Sequence, residues 1–298
     1  MADAHPAPDD VPLAPARSRR PSALRTLLSD KVGMVGVFFV TVIGLAALLA
    51  PWIAPHDPTR INGRARLRPP GGDYLLGTDE LGRDLLSRAL FGAQVSLQVS
   101  LTVVAVAAVV GVAIGVASGY FRGWFDAVAM RIMDVLFAFP TILLALAIVA
   151  TLGTDVRNLI FALVVVYVPT FARIARGAAM TVSQELYVEA ARSVGVGHLR
   201  ILVLHILPNI GAPVAVQVTI SLAYAILVES SLSYLGLGVQ PPDASWGLML
   251  SSGKVQIERS IWPSVVPGLF IVFTVLGFNL LGDALRDTLD PRMRAAMR

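Results

Sequence analysis

Side chains that do chemistry are sparse in this sequence, and their spacing argues against catalysis. The four histidines are His5, His56, His198 and His205, and only the last two share a segment. Seven residues apart on a helix, they would sit about two turns from each other, too far to hold one ion. No HExxH pattern occurs, cysteine is absent, and neither a nucleophile triad nor a pair of convergent carboxylates can be picked out. Lys31 and Lys254 are the only lysines and each is followed by valine, whereas a phosphate-cradling loop needs Gly-Lys followed by Ser or Thr. Gly195-x-Gly197 and Gly236-x-Gly238 lack the strand–helix frame of a dinucleotide site. The chain is therefore expected to be no enzyme, to bind no metal or cofactor, and to leave any ATP chemistry to a partner.

Three polar stretches stand out instead. The first, "EAARSVGVGHLRILVLHILP" at 189–208, interrupts two strongly apolar runs. Glu185, Glu189, Ala190, Ala191 and Arg192 are good helix formers and predict a helix over 184–194. Gly195 suits the left-handed residue that ends a helix, and Gly197 loosens the next turn. A second helix over 198–207 would set Leu199, Leu202, Val203 and Ile206 on one side, with Pro208 in the first turn of the next membrane helix. Taken alone, this is equally an interfacial hairpin that tightens a loop or a docking element for a soluble partner. The second is Glu229, an ionisable group inside an apolar run. Such a group faces a bundle interior, a water-filled path or a polar partner, so it is either a pathway or gate residue or a helix-end carboxylate bonded near Ser230 and Ser231. The third is 77–87, where Thr78 is expected as an N-cap with Asp79 and Glu80 in the first turn and Arg83 and Asp84 paired with neighbours. That would be an external helix, seating a partner or simply packed on the bundle.

The elements that must position these residues are membrane helices. The chain is 55% hydrophobic and only 15% charged, with a mean hydropathy of +0.71, far too little charge for a soluble surface. Apolar runs long enough to cross a bilayer recur, at 32–53, 95–118, 132–152, 159–171, 210–232 and 262–281. The fourth is short, and Tyr167 with Arg173 and Arg176 would extend it through the interface. Pro140 and Pro169 should kink their helices. Residues 1–30 read as a disordered cytoplasmic tail. The "SRRPSAL" within it is followed by too long an apolar run for a cleaved signal, so the first span should stay in place. With both termini inside, fifteen basic residues lie on the cytoplasmic side and nine outside, the sense the positive-inside rule requires. No inverted repeat of broken spans, as secondary transporters show, can be seen. The expected architecture is an all-α membrane protein with six transmembrane helices.

Glu189-Ala190-Ala191, three residues, Gly195, and then Leu207-Pro208 resembles the EAA loop of the membrane subunits of ABC importers. That family's pattern is EAA, three residues, Gly, nine residues, Ile, one residue, Leu-Pro. The chain departs from it once, with His205 at the Ile position and Ile206 after it. "LGTDELGRDLLSRALFGAQVSL" from Leu76, "HILPN" from His205 and "ESSLSYLGLG" from Glu229 are similar to the C-type subunits of dipeptide, oligopeptide and nickel importers.

The resemblance implies a type I ABC importer permease fold. It further implies a heterodimer with a B-type permease subunit, two ATP-binding subunits that carry ATP and Mg, and an extracytoplasmic substrate-binding protein. No nucleic acid is involved. On that reading 31–94 is an N-terminal membrane helix and external loop, 95–285 is the transmembrane domain with its EAA loop at 184–208, and 286–298 is a cytoplasmic C-terminus. Glu189, Ala190, Ala191, Arg192, Gly195, Leu207 and Pro208 would couple to the ATPase, with Glu189 and Arg192 at the rim of its cleft. Thr78, Asp79, Glu80, Gly82, Arg83 and Asp84 would form an external docking element. The implied cargo is short peptides, moved across a bacterial or archaeal cytoplasmic membrane by alternating access. Nickel chelate, glutathione or an opine are alternatives, and an ion-driven carrier is a remote one.

Overall fold

A computed structural model describes residues 30–289, and among them helices account for nearly all regular structure, with no β-strand beyond two isolated bridges. The expected tail falls almost wholly outside the described residues, as do residues 290–298. Helix α1 (Lys31–Leu48) starts at Asp30, whose carboxylate accepts from the Val32 and Gly33 N–H groups. After the short α2 (Ala50–Ile53) comes an outer loop, and then α3 (Leu85–Phe121), α4 (Gly123–Phe137), α5 (Thr141–Leu152) and α6 (Val156–Val182). The hairpin helices α7 (Leu186–Ser193) and α8 (His198–Ile201) lead through a π turn (Leu202–Ile206) and a 3-10 turn (Leu207–Ile210) into α9 (Gly211–Tyr234). Helices α10 (Trp246–Val255) and α11 (Trp262–Leu289) close the chain.

Five stretches are long and apolar enough to cross a bilayer, and a bent pair makes a sixth. The expected third span is that pair. Phe137 ends α4 and Thr141 begins α5 at 90° to it, because Pro140 has no N–H to continue the helix. The expected second span starts ten residues earlier, at Leu85, and the fourth runs the full Val156–Val182. Tyr167 is buried in the core rather than at an interface, and Pro169 lies inside an uninterrupted α6.

The bundle is built on α3 against α6, its most extensive helix pair. Gly111, Gly115 and Gly119 recur every fourth residue along α3 and press against the α6 backbone between Val168 and Met180. A Cβ on Gly115 would run into the Ala172 carbonyl oxygen, and one on Gly119 would lie 2.6 Å from that of Arg176. In a bilayer such close backbone approach replaces the hydrophobic drive that water would supply. Helix α9 packs on α3 and α11, and α1 lies mainly along α11, where Gly36 leaves no room for a Cβ against Leu281. Helix α10 folds back between α9 and α11. Trp246 is fully buried, and its indole N–H donates to the Ala89 carbonyl at 3.0 Å.

Candidate functional site

The hairpin sits at the end of the bundle where α3 finishes. Helix α7 buries a single residue, Val188, against the small-residue end of α6. Its termination has the bonding of a left-handed helix stop: the Gly195 N–H reaches the Arg192 carbonyl at 2.9 Å and the Val196 N–H reaches that of Ala191 at 3.0 Å. Gly195 has φ +79°, the conformation this double bond requires and that side chains resist. Glu189, Ala190 and Arg192 are exposed and Ala191 half-buried, while Leu186 and Val194 are 82% and 79% exposed. The hairpin therefore presents a mixed apolar and acidic outer face that no other described residue covers.

Arg192, although exposed, also has a contact within the chain. Its guanidinium lies 4.7 Å from the centre of the Tyr120 ring, and the Tyr120 hydroxyl lies 2.8 Å from His198 Nδ1. Tyr120, in the last turn of α3, thus ties both arms of the hairpin to the central helix. Nearby, α4 is held to α6 by Arg176, which grips both carboxylate oxygens of Asp126, and by Arg173, which pairs with Asp134 and lies over the Phe137 ring.

The second arm corrects the expected helix over 198–207. It runs on into α9 through the π turn, so the inward residues are Ile201, Ile206 and Ile210, whereas Leu199 and Val203 are 75% and 47% exposed. A regular helix would carry Ile206 away from this line. With the Leu207 N–H bonded to the Leu202 carbonyl, five residues back, Ile206 fills the interior position that His205 vacates. His205 packs beside Tyr187. Leu207 and Pro208 are exposed in the turn after it.

At the opposite end, 77–84 is not a helix. Thr78 is buried, its hydroxyl donating to the Ala65 carbonyl and accepting from the Arg68 N–H at 2.8 Å. The capping residue is Asp84, whose Oδ2 accepts from the Ser87 N–H at 2.9 Å and its hydroxyl at 2.6 Å, so the helix begins at Leu85. Asp79 organises the loop: Oδ1 accepts from the Leu81 and Arg83 N–H groups, and Oδ2 takes Arg83 Nε at 2.6 Å with Arg88 Nε at 3.4 Å. Glu80 pairs with Arg83 at 3.1 Å. Gly82, at φ +77°, passes so close to the Asn62 carbonyl that no Cβ would fit. Exposed Asp57 accepts from the Thr59 hydroxyl and N–H, which holds its carboxyl below the usual range.

Known proteins share this chain's sequence over most of its length. The family model described as "binding-protein-dependent transport system inner membrane component" matches residues 111–295, and that of the "N-terminal TM domain of oligopeptide transport permease C" matches residues 19–70. The chain belongs to the family of binding-protein-dependent transport permeases. A putative peptide transport system permease protein of Brucella abortus is 45% identical over 270 residues, 91% of each chain. The di/tripeptide transport system permease protein of Pseudomonas aeruginosa is 42% identical over 273 residues, 90% of each chain. The glutathione transport system permease protein of Escherichia coli is 42% identical over 271 residues, 91% of this chain and 89% of that one.

In this permease Glu229 is fully buried. Ser233 donates to one carboxylate oxygen at 2.7 Å, Ser230 to the other at 3.3 Å, and Ser96 of α3 lies against the same group. Its hydrogen-bond partners are thus Ser230 and Ser233, and Ser231 instead bonds the Leu227 carbonyl. Among the described residues no cluster of three or more acidic or histidine side chains is placed to hold a metal ion.

Proposed function

We propose that this permease is the membrane-spanning C-type subunit of an ATP-driven importer of short peptides. It would pair with a B-type permease, two ATP-binding subunits and an extracytoplasmic binding protein. The observation that carries the reading is the hairpin: a buried seam of Val188, Ile201 and Ile206 fixes it to the bundle, while its other face, mixed apolar and charged, is left exposed among the described residues. A rigidly mounted, open face of this kind fits a cleft on a soluble motor. Glu189, Ala190 and Gly195, with Leu207 and Pro208, are the contact residues on this reading, and Arg192 and Ala191 are the mounting. ATP binding at the partners would draw the two hairpins of the heterodimer together and open the path outward, and hydrolysis would reset it. The chain itself would perform no bond chemistry.

Peptide cargo is supported by the names of the relatives, two of which specify peptides or di- and tripeptides. Glutathione, itself a tripeptide, is the second reading, favoured by a relative of nearly equal identity. The hairpin end is assigned to the cytoplasm, with both termini, because the basic residues accumulate there. Glu229 is assigned a pinning role between α9 and α3, since a path to it opens only if those helices part.

The test is a tagged pull-down from the native membrane. Recovery of two P-loop ATPases, a second permease chain and a binding protein that takes up labelled dipeptides is the expected result. A chain that purifies alone and transports with an ion gradient would overturn it.

A further inference from the structure

Helix α5 is too short to cross a bilayer. Its 12 residues rise about 18 Å against an apolar core of about 30 Å. Its C-terminal end joins α6 through Gly153, Thr154 and Asp155, at the end of the bundle away from the hairpin. The break at Pro140 therefore falls well inside the core. Residues 137–143 around that break are all exposed. Pro140 has no N–H, no side chain caps the start of α5, and the first N–H groups of a helix have no partner within it. Beside the break Arg173 pairs with Asp134, and their side chains are 48% and 51% exposed. Arg173 belongs to a stripe on α6, with Thr170, Gly177 and Thr181, whose spacing of three and four residues puts them on one face. Thr170 is half-buried, the other three are exposed, and a Cβ on Gly177 meets nothing within 4 Å. By contrast, the exposed faces of α1 and α3 carry large apolar side chains, Phe38, Val42 and Leu45 on one and Val106, Val109 and Val110 on the other.

The break and the stripe do not suit lipid. Irregular backbone at membrane depth is tolerated only against protein or water, and charged groups there face a bundle interior or a water-filled path. A close helix contact in a bilayer needs a surface of small residues, which the projecting Phe137, Phe139 and Arg173 side chains deny. We propose that the break at Pro140 and the α6 stripe line the aqueous cargo path, with Thr141, Thr170 and the Arg173–Asp134 pair as its polar wall on this chain. The proposal rests on the reading of the chain as a peptide-importer permease and says where on it the peptide passes. A peptide carries donors and acceptors at every residue. Along this wall Arg173 and the first N–H groups of α5 donate, and Asp134 accepts.

The experiment uses the assembled importer in lipid nanodiscs. The chain has no cysteine, so Thr141→Cys and Gly177→Cys each place one thiol on the proposed wall, and Phe38→Cys and Val109→Cys place one on the apolar faces. A charged, water-soluble thiol reagent is added without nucleotide and again with ATP trapped by vanadate, and its attachment to this chain is read by mass. The reacting species is the thiolate, which forms in water, so the two wall thiols should react at least about tenfold faster than the other two in one of the conditions. Equal rates at all four positions overturn the proposal. Slow reaction of the wall thiols in the importer, with fast reaction in the chain purified alone, also overturns it and assigns the face to the partner permease. If Thr141→Cys does not assemble, Gly177→Cys carries the test. In proteoliposomes, Gly177→Cys modified with a bulky reagent should lose most of its labelled-peptide uptake, and full uptake counts against the proposal. An unmodified importer that takes up no peptide while its wall thiols react fast defeats the parent reading instead.

Discussion

Replacing Gly195 separates two reasons why a glycine might be needed there. A Cβ built on Gly195 meets nothing within 4 Å, so added volume costs nothing and only the φ of +79° matters. An ordinary L-residue held in that region is disfavoured by about 1–2 kcal/mol, a factor of roughly 5 to 30 in the population of the observed hairpin stop. Asparagine tolerates the region better, and a β-branched residue is an outlier in it. Transport should therefore fall in the order Gly, Asn, Ala, Val, with Ala down by about that factor and Val by more. The seam at Val188 and Ile206 is untouched, so the subunits should still assemble. The assay is binding-protein-stimulated ATPase activity and labelled-peptide uptake in proteoliposomes at matched complex content. Equal losses for Asn, Ala and Val would refute the backbone argument in favour of a steric one. Normal uptake by Gly195→Val would sink the role of the hairpin altogether.

Gly115→Leu should lower the melting temperature of the purified complex through an overpacking cost of about 1–3 kcal/mol, while Gly177→Leu, where a Cβ meets nothing within 4 Å, should not. Glu229→Gln should transport like wild type from mildly acidic to mildly alkaline pH, whereas Glu229→Leu should lose about 1–3 kcal/mol of stability by orphaning the Ser233 hydroxyl. A pH-dependent transport defect in Glu229→Gln would restore a gating role. A double-mutant cycle with Asp126→Asn and Arg176→Gln, read by thermal melting, should give a coupling of about 0.2–1 kcal/mol, because Arg176 is one-third exposed.

Much of this was legible in the sequence because bilayer crossing leaves a compositional mark that needs no tertiary information. The apolar runs, the left-handed Gly195 and the break at Pro140 are local properties of the chain. What escaped depends on partners distant in sequence. Thr78 looks like a cap until Ala65 and Arg68 arrive to take its hydroxyl, and Asp84 then caps instead. Arg192 has no foreseeable contact within the chain until Tyr120, 72 positions earlier, offers its ring. Tyr167 and Trp246 have the amphipathic character of interface residues, and only the bundle's packing buries them. One long-range contact was readable and missed: glycines at 111, 115 and 119 recur at the four-residue spacing that brings membrane helices together.

The π turn between the hairpin and α9 has a mechanical consequence. The stretch from His198 to Tyr234 is 37 residues long, about 55 Å along its axis, with one end in the hairpin and the other near Glu229. An unbroken α-helix of that length would act as a single shaft, its two ends locked in angle. The π turn over Leu202–Ile206 and the 3-10 turn over Leu207–Ile210 break the regular ladder. The angle between hairpin and α9 is therefore set by this short irregular joint and by the buried seat of Ile206.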